Sequence, residues 1–392
     1  MNELDHLRTM RSEIPERSPD ELALSTGWRP GRRKSRPVRR PRTLPVVLSG
    51  VAAVAAAALF LALVVFPGPG TVTVGPATDP SESEVGGSVR EVMAPVIEAA
   101  RSRPVDGDVW HQRLTWAQAW GVGPEDDRYG VYRVYRTEEW SWTGEYDIDT
   151  NDFEGEESGL SAQRTNETTW ALVDEDHRAA WERDGSPEYW PHDSETGRVE
   201  IPTQEEDGEI TGPQPGGWGF GLGTVEHPDL RSLPSDPELL EEMLFSVPET
   251  EAENSAHQDH LDNEYAVMAE NGYADEGARR FSYVSGALSL PYPPEVRAGM
   301  YTVLAGLPGV RALGGVTDLS GRDAVGVAYT LSPTARGTFE ERILFDSETG
   351  GLLSLEQVVV EPAESESDWS EPGDVVGYTL YEEMGWTDDP PF

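Results

Sequence analysis

The chain has 392 residues, 72 of them acidic and 30 basic, for a formal net charge of −42, and it contains no cysteine. The balance is uneven. Residues 1–45 hold 11 basic and 6 acidic residues, residues 46–66 hold none of either, and the remainder holds 19 basic and 66 acidic, a net of −47. A surface so negative excludes nucleic acid as a partner of residues 67–392, because binding phosphates requires Lys and Arg to displace counterions, and the missing cysteines exclude disulfides and thiol chemistry.

In chain order, Leu4, Leu7, Met10 and Ile14 recur every three or four residues. Residues 1–14 therefore form either a short amphipathic helix or a segment read by a cytoplasmic protein partner. Residues 15–45, rich in Pro, Ser and Arg, read as a disordered tether. Val46 to Phe66 is uncharged over 21 residues. At ~1.5 Å per residue such a helix spans ~30 Å, the hydrocarbon thickness of a bilayer. The run exceeds the apolar core of a cleaved signal peptide, which is ~7–15 residues, so an uncleaved anchor is expected. Arg32, Arg33, Lys34, Arg36, Arg39, Arg40 and Arg42 crowd its N-terminal side, and no basic residue follows it until Arg90. The positive-inside rule then places the N-terminus in the cytoplasm and the C-terminal domain outside the cell membrane. Residues 67–86 read as a linker.

The division expected is thus a basic cytoplasmic tail (1–45), a transmembrane helix (46–66), a linker (67–86) and an acidic extracytoplasmic domain (87–392). That domain opens with a capping box, Ser88 with Glu91. Val89, Val92, Met93, Val96, Ile97 and Ala100 then share a helix face. Trp110, Leu114, Trp116 and Trp120 fall at even positions, as in a strand with one aromatic face. Residues 129–142 and 166–173 read as further strands, and 186–224 as irregular. Ser235 and Glu238 predict a second capping box around Pro237, with Leu239, Leu240, Met243 and Leu244 buried. A helix over 249–271 ends at Gly272. Pro293 and Pro294 start another, buried through Val296, Met300, Val303, Leu304 and Leu307. After Pro308 the period changes, and strands fit 310–316, 324–331, 338–345, 352–360 and 375–383, separated by turns such as 318–322 and 346–350. The fold class expected is α+β, an antiparallel sheet with helices packed on one face.

Motifs for chemistry are sparse. Asp147, Asp149 and Asn151 match the first ligands of an EF-hand, but Asp152 replaces the required glycine and Ser158 the bidentate Glu, so a solvated acidic loop outweighs a calcium site. His257 and His260, near Asp259 and Asp262, have the spacing of two metal ligands but no third. There is no GxSxG. Gly217, Gly219, Gly221 and Gly223 alternate with Trp218, Phe220 and Leu222 and lack the Lys of a phosphate loop. No catalytic, cofactor-binding or metal residue is assigned, and an enzyme is not expected.

Five motifs carry a resemblance: Leu233-Pro234-Ser235-Asp236-Pro237; Pro293-Pro294 with Arg297-Ala298; Leu304 to Val310; Asp318 with Gly321-Arg322; and Phe345-Asp346 with Thr349-Gly350. Together with the N-terminal LDHLRTMRSEIPE, the arginine cluster and the anchor, they resemble an uncharacterised actinobacterial family of single-pass membrane proteins. The resemblance spans most of the chain and is sharpest over 230–350. Members are commonly encoded beside sigma factors, which implies a regulatory or sensory role. The alternative reading, from the tryptophan face, is a binding module for a lipid or other apolar envelope ligand. By their chemistry the motif residues read as fold determinants, with Gly309 and Gly321 supplying positive φ and Asp318 and Asp346 bonding their own turns.

Overall fold

The computed structural model describes residues 87–142 (save 106 and 108), 160–187, 211–215, 230, 233–245 and 265–389 (save 368). Helix α1 (Val89–Ser102) is followed by strands β1 (Val109–Val122), β2 (Tyr129–Trp142) and β3 (Leu160–Leu172). Helix α2 (Glu175–Arg183), strand β4 (Thr211–Pro215) and helices α3 (Pro237–Phe245), α4 (Glu276–Ala287) and α5 (Pro294–Gly306) come next. Strands β5 (Arg311–Thr317), β6 (Asp323–Thr330), β7 (Gly337–Phe345), β8 (Leu352–Pro362) and β9 (Val375–Thr387) complete the order. The strands form one antiparallel sheet, β4-β3-β2-β1-β9-β8-β7-β6-β5. Two meanders, separated in sequence by the helices, become one sheet because β9 zips onto β1. The expected α+β class with an antiparallel sheet is what the chain adopts. Residues 46–66 lie outside the described residues, and no helix among those described is long and apolar enough to cross a membrane.

Local chemistry explains where the helices begin. Ser88 Oγ accepts from the Glu91 amide at 3.3 Å while the Glu91 carboxylate accepts from the Ser88 amide at 2.7 Å, the reciprocal box expected. The second box does not form. Asp236, not Ser235, caps α3, its Oδ1 accepting from the amides of Glu238 (3.0 Å) and Leu239 (3.2 Å). The reason is Pro237, which fits best as the first helical residue and so makes the preceding carboxylate the cap. Asp275 caps α4 through the Ala278 amide at 2.9 Å. Of the helix predicted over 249–271, residues 265–270 are helical and Gly272 follows at φ +94, as expected, while 246–264 lie outside the described residues.

Four elements depart from expectation. β4 falls in the stretch read as irregular. Its sequence, TGPQP, has no alternation, and its two prolines are tolerated because β4 is an edge strand, where missing N–H donors cost no ladder bond on the open side. β3 begins at Leu160, six residues before the Thr-rich core that marked it. Helices α2 and α4 carry only short buried stripes, Ala180 in one and Ala278, Phe281 and Val284 in the other, too few large apolar residues to announce a period.

The register defines the two faces of the sheet. Ile343, Leu355, Thr379, Trp116 and Tyr135 stand opposite one another across five strands on one face. Displaced by one residue, Arg342, Glu356, Tyr378, Ala117 and Val134 do so on the other. Helices meet the first face. Tyr301 of α5 packs edge-on against Phe345 at 4.8 Å, Phe281 of α4 against Tyr329 at 5.4 Å, and Trp181 of α2 against Trp170 at 5.6 Å. The predicted aromatic face of β1 is on this side. The second face is covered in part by the β8–β9 connection, whose Trp369 lies on Gly121 and Gly130.

Candidate functional site

Strand β7 reads GTFEERILF, and its alternation sends Glu340 and Arg342 to the second face while Phe339, Glu341 and Ile343 meet the helices. All are buried, so these charges need partners. Arg311 from β5 donates to Glu340 Oε2 at 2.9 Å, and Arg342 donates to Glu340 Oε1 at 2.9 Å. Glu356, opposite Arg342, accepts from Ser354 Oγ at 2.8 Å and from the Leu319 backbone amide. Burial pushes the Glu356 carboxyl up to about 7, against the pull of Ser354 and Arg342. Among the described residues Arg342 Nη2 and Tyr378 Oη have no hydrogen-bond partner.

The β5–β6 turn closes over this ladder. Asp318 Oδ1 accepts from the amides of Ser320 and Arg322, both at 2.9 Å, and its Oδ2 holds the Arg322 guanidinium at 2.6 Å. Arg322 also donates to the carbonyls of Tyr381 (2.8 Å) and Leu353 (2.9 Å). A turn between β5 and β6 thus reaches strands β8 and β9, which requires this end of the sheet to curl. Gly321 at φ +77 makes the turn possible, as its sequence context predicts.

On the helix face, the N-terminal half of the aromatic row is core. Trp110 is 3% exposed and its indole N–H donates to Ser289 O at 3.1 Å. The Arg297 guanidinium of α5 lies 4.6 Å from the Trp110 ring and donates to the carbonyls of Leu288 (2.7 Å) and Leu290 (2.6 Å). Nearby, Tyr273 donates its hydroxyl to Glu341, whose carboxyl burial pushes up to about 7. Beside it, Phe281, Ser285, Ile343 and Leu355, with Glu341, Arg342 and Glu356, line a half-open space with room for about one water molecule.

The other half of the same row is different. Trp116 and Tyr135 stack at 3.9 Å and 10°. The Arg133 guanidinium covers the Tyr135 ring at 4.3 Å. Gln118, Arg133 and Trp170 stand opposite one another on three strands, with Trp120 two residues along from Gln118. Trp116, Gln118, Trp120, Arg133 and Trp170 are all only half-buried. Burial pushes the Arg133 guanidinium down to about 9, and its Nε has no acceptor among the described residues.

Asp147, Asp149, Asn151 and Ser158, His257 and His260 with Asp259 and Asp262, and the glycine-aromatic run 217–223 all lie outside the described residues. Among the described residues no three His, Cys, Asp or Glu side chains converge as metal ligands. The motif residues Asp318, Gly321, Arg322, Asp346, Thr349 and Gly350 build turns. Asp346 Oδ1 accepts from the amides of Glu348 (2.8 Å) and Thr349 (3.3 Å), and Gly350, at φ +66, sits against the backbone of α1. Sequence reasoning did not single out Arg133, Arg342 or Glu356. The available signal was a charge at an inward position of a strand, in YRVYR, in EER and in SLEQ. Compared with family models, curated proteins and solved structures, the chain finds no match in any of the three.

Proposed function

We propose that the chain is a non-enzymatic, single-pass membrane protein of regulatory or sensory type, with residues 1–14 engaging a cytoplasmic partner and the acidic domain facing outward. The observation that carries this reading is the charge reversal across residues 46–66, from a net of +5 before them to −47 after them. The described fold is consistent with it, since helix α1 starts at its own capping box at Ser88. A sigma factor is the partner class implied by the family that the motifs at 233–350 resemble. The test is a cross-linked pull-down from native membranes, comparing the full-length chain with one lacking residues 2–14. Enrichment of a sigma factor by the full-length chain alone supports the reading, and identical profiles overturn it.

A second reading, an outward-facing module that binds an apolar envelope ligand, is favoured by one observation. The row of aromatics expected on β1 is closed by α5 and Arg297 at Trp110 but stays half-exposed at Trp116 and Trp120. Residual lipid detected by native mass spectrometry of the intact chain, and lost when Trp116 and Trp120 become alanine, is the expected result. An unchanged lipid complement in that variant removes this reading.

A further inference from the structure

We propose that Arg133, with the aromatic platform of Trp116, Tyr135, Trp120 and Trp170, binds the carboxylate head of an apolar monocarboxylic acid of the long-chain fatty-acid class. This deepens the binding reading above and rests on it. The anomaly that carries it is electrostatic. Residues 87–392 hold 63 acids for 19 basic residues, and most other arginines among the described residues are held by oxygen. Arg113 pairs with Glu382 at 3.2 Å, Arg183 with Asp127 at 2.8 Å, Arg280 with Glu276 at 2.7 Å, and the buried Arg297 donates to two carbonyls. Arg133 has a ring contact and a buried Nε without an acceptor among the described residues.

A buried, unsatisfied donor is destabilising, and more so when it is charged. Stacking on Tyr135 offsets only part of this. What would satisfy the rest is an acceptor that reaches the Nε edge of the guanidinium, which neighbouring side chains shield from solvent and must part to admit. A carboxylate does so through two parallel bonds to the planar fork, where a single-point anion does not. The body of the ligand follows from the neighbours. Across the register Arg133 faces Gln118 on one side and Trp170 on the other, with Trp116 and Trp120 diagonal to it on the same face. Gln118 is turned away, donating to Val376 O at 2.8 Å, so apolar rings border the head-group position. The charge number follows from the surroundings, since a net of −47 over residues 67–392 repels polyanions, whereas one carboxylate meets one arginine.

The test uses the full-length chain in phosphatidylcholine nanodiscs, photolabelled with dodecanoic acid carrying a chain diazirine or with the matching alcohol, and mapped by peptide mass spectrometry. The expected result is labelling of peptides from β1 and β2 by the acid, in about tenfold preference over the alcohol, equivalent to about 1.4 kcal/mol. R133Q reduces that preference to near unity while leaving labelling by the alcohol unchanged. Equal labelling of these peptides by acid and alcohol in the unaltered chain overturns the head-group assignment while leaving the apolar-ligand reading standing. No labelling there with either probe overturns both. Should limited proteolysis show R133Q unfolded, R133K replaces it. Lysine keeps the charge without the fork, so a severalfold loss of preference is expected, and an undiminished preference overturns the assignment.

Discussion

Tyr273 donates its hydroxyl to Glu341, a carboxyl on β7 that is 6% exposed beneath α4. Burial raises the Glu341 pKa from 4.5 to about 7, although the Tyr273 hydrogen bond pulls it down. The folded state therefore holds a proton that the unfolded chain has released. Stability from this group is fully present below about pH 4.5 and is lost as pH rises through about 7. The difference is roughly 3 kcal/mol. Glu341→Gln keeps an oxygen for Tyr273 and cannot ionise. The variant is expected to be the more stable protein above pH 7, by up to roughly 3 kcal/mol, with a flatter profile between about pH 5 and 8. Glu356, raised in the same direction, leaves a residual slope. Urea unfolding midpoints across that range check this, and parallel curves for the two proteins defeat it.

Arg342 joins Glu340 and lies opposite Glu356 in a buried ladder, and the two kinds of change to it should behave oppositely. Arg342→Ala removes the cation and leaves carboxylates with too little compensation, costing about 3–5 kcal/mol. Replacing the two facing residues together, R342M with E356L, takes the cation and the carboxyl opposite it out of the ladder and fills the volume, and should cost less than the single change. Equilibrium denaturation of the three proteins decides. A double variant less stable than R342A would mean that the ladder contributes geometry that apolar packing cannot replace.

The meander β5–β9 was legible because alternation, Gly turns and Asp turns agree there. Asp318, Gly321 and Asp346 do what their types predict. The Trp110–Trp120 row was legible as a face, but its division into a closed half and a half-open one was not. That division depends on Arg297, nearly two hundred positions away in sequence, reaching the Trp110 ring from α5. Periodicity reports which side a residue faces and is silent about what arrives there from another element. The same limit hid Arg133, since a charge inside YRVYR reads as a solvent-facing residue until the register sets Trp116, Tyr135 and Trp170 around it. The pairing of β9 with β1 was invisible for a related reason, because over 250 residues separate partners such as Trp116 and Thr379.

Asp318 has two separable tasks, bonding its own turn and holding Arg322 against β8 and β9. Asp318→Asn keeps an oxygen for the Ser320 and Arg322 amides and gives up the charge, whereas Asp318→Ala gives up both. The alanine variant should lose about 2–4 kcal/mol and the asparagine variant about half as much. Hydrogen exchange at the Ser320 and Arg322 amides should rise strongly in the alanine variant only. Equal losses in the two variants would assign the whole effect to the ion pair.

Trp369 covers Gly121 and Gly130, which face each other across β1 and β2, and it is 4% exposed with its indole N–H on Glu366 at 3.0 Å. A Cβ at Gly130 would lie 2.7 Å from Val173 Cγ2 and 3.0 Å from Trp369 Cε3, and one at Gly121 would overlap the indole itself. Gly121→Ala is therefore an overpacking change, expected to cost about 1–3 kcal/mol. Trp369→Ala costs about 3–5 kcal/mol by exposing the second face of the sheet. The two changes share one cause, contact between a methyl and an indole, so they should not add. With the indole gone the methyl meets open space, and the double variant should be no less stable than Trp369→Ala alone, a coupling of at least about 1 kcal/mol in a double-mutant cycle. Strict additivity would show that the β8–β9 connection does not rest on the glycine pair, and that the smallness of these two positions serves the β1–β2 ladder itself.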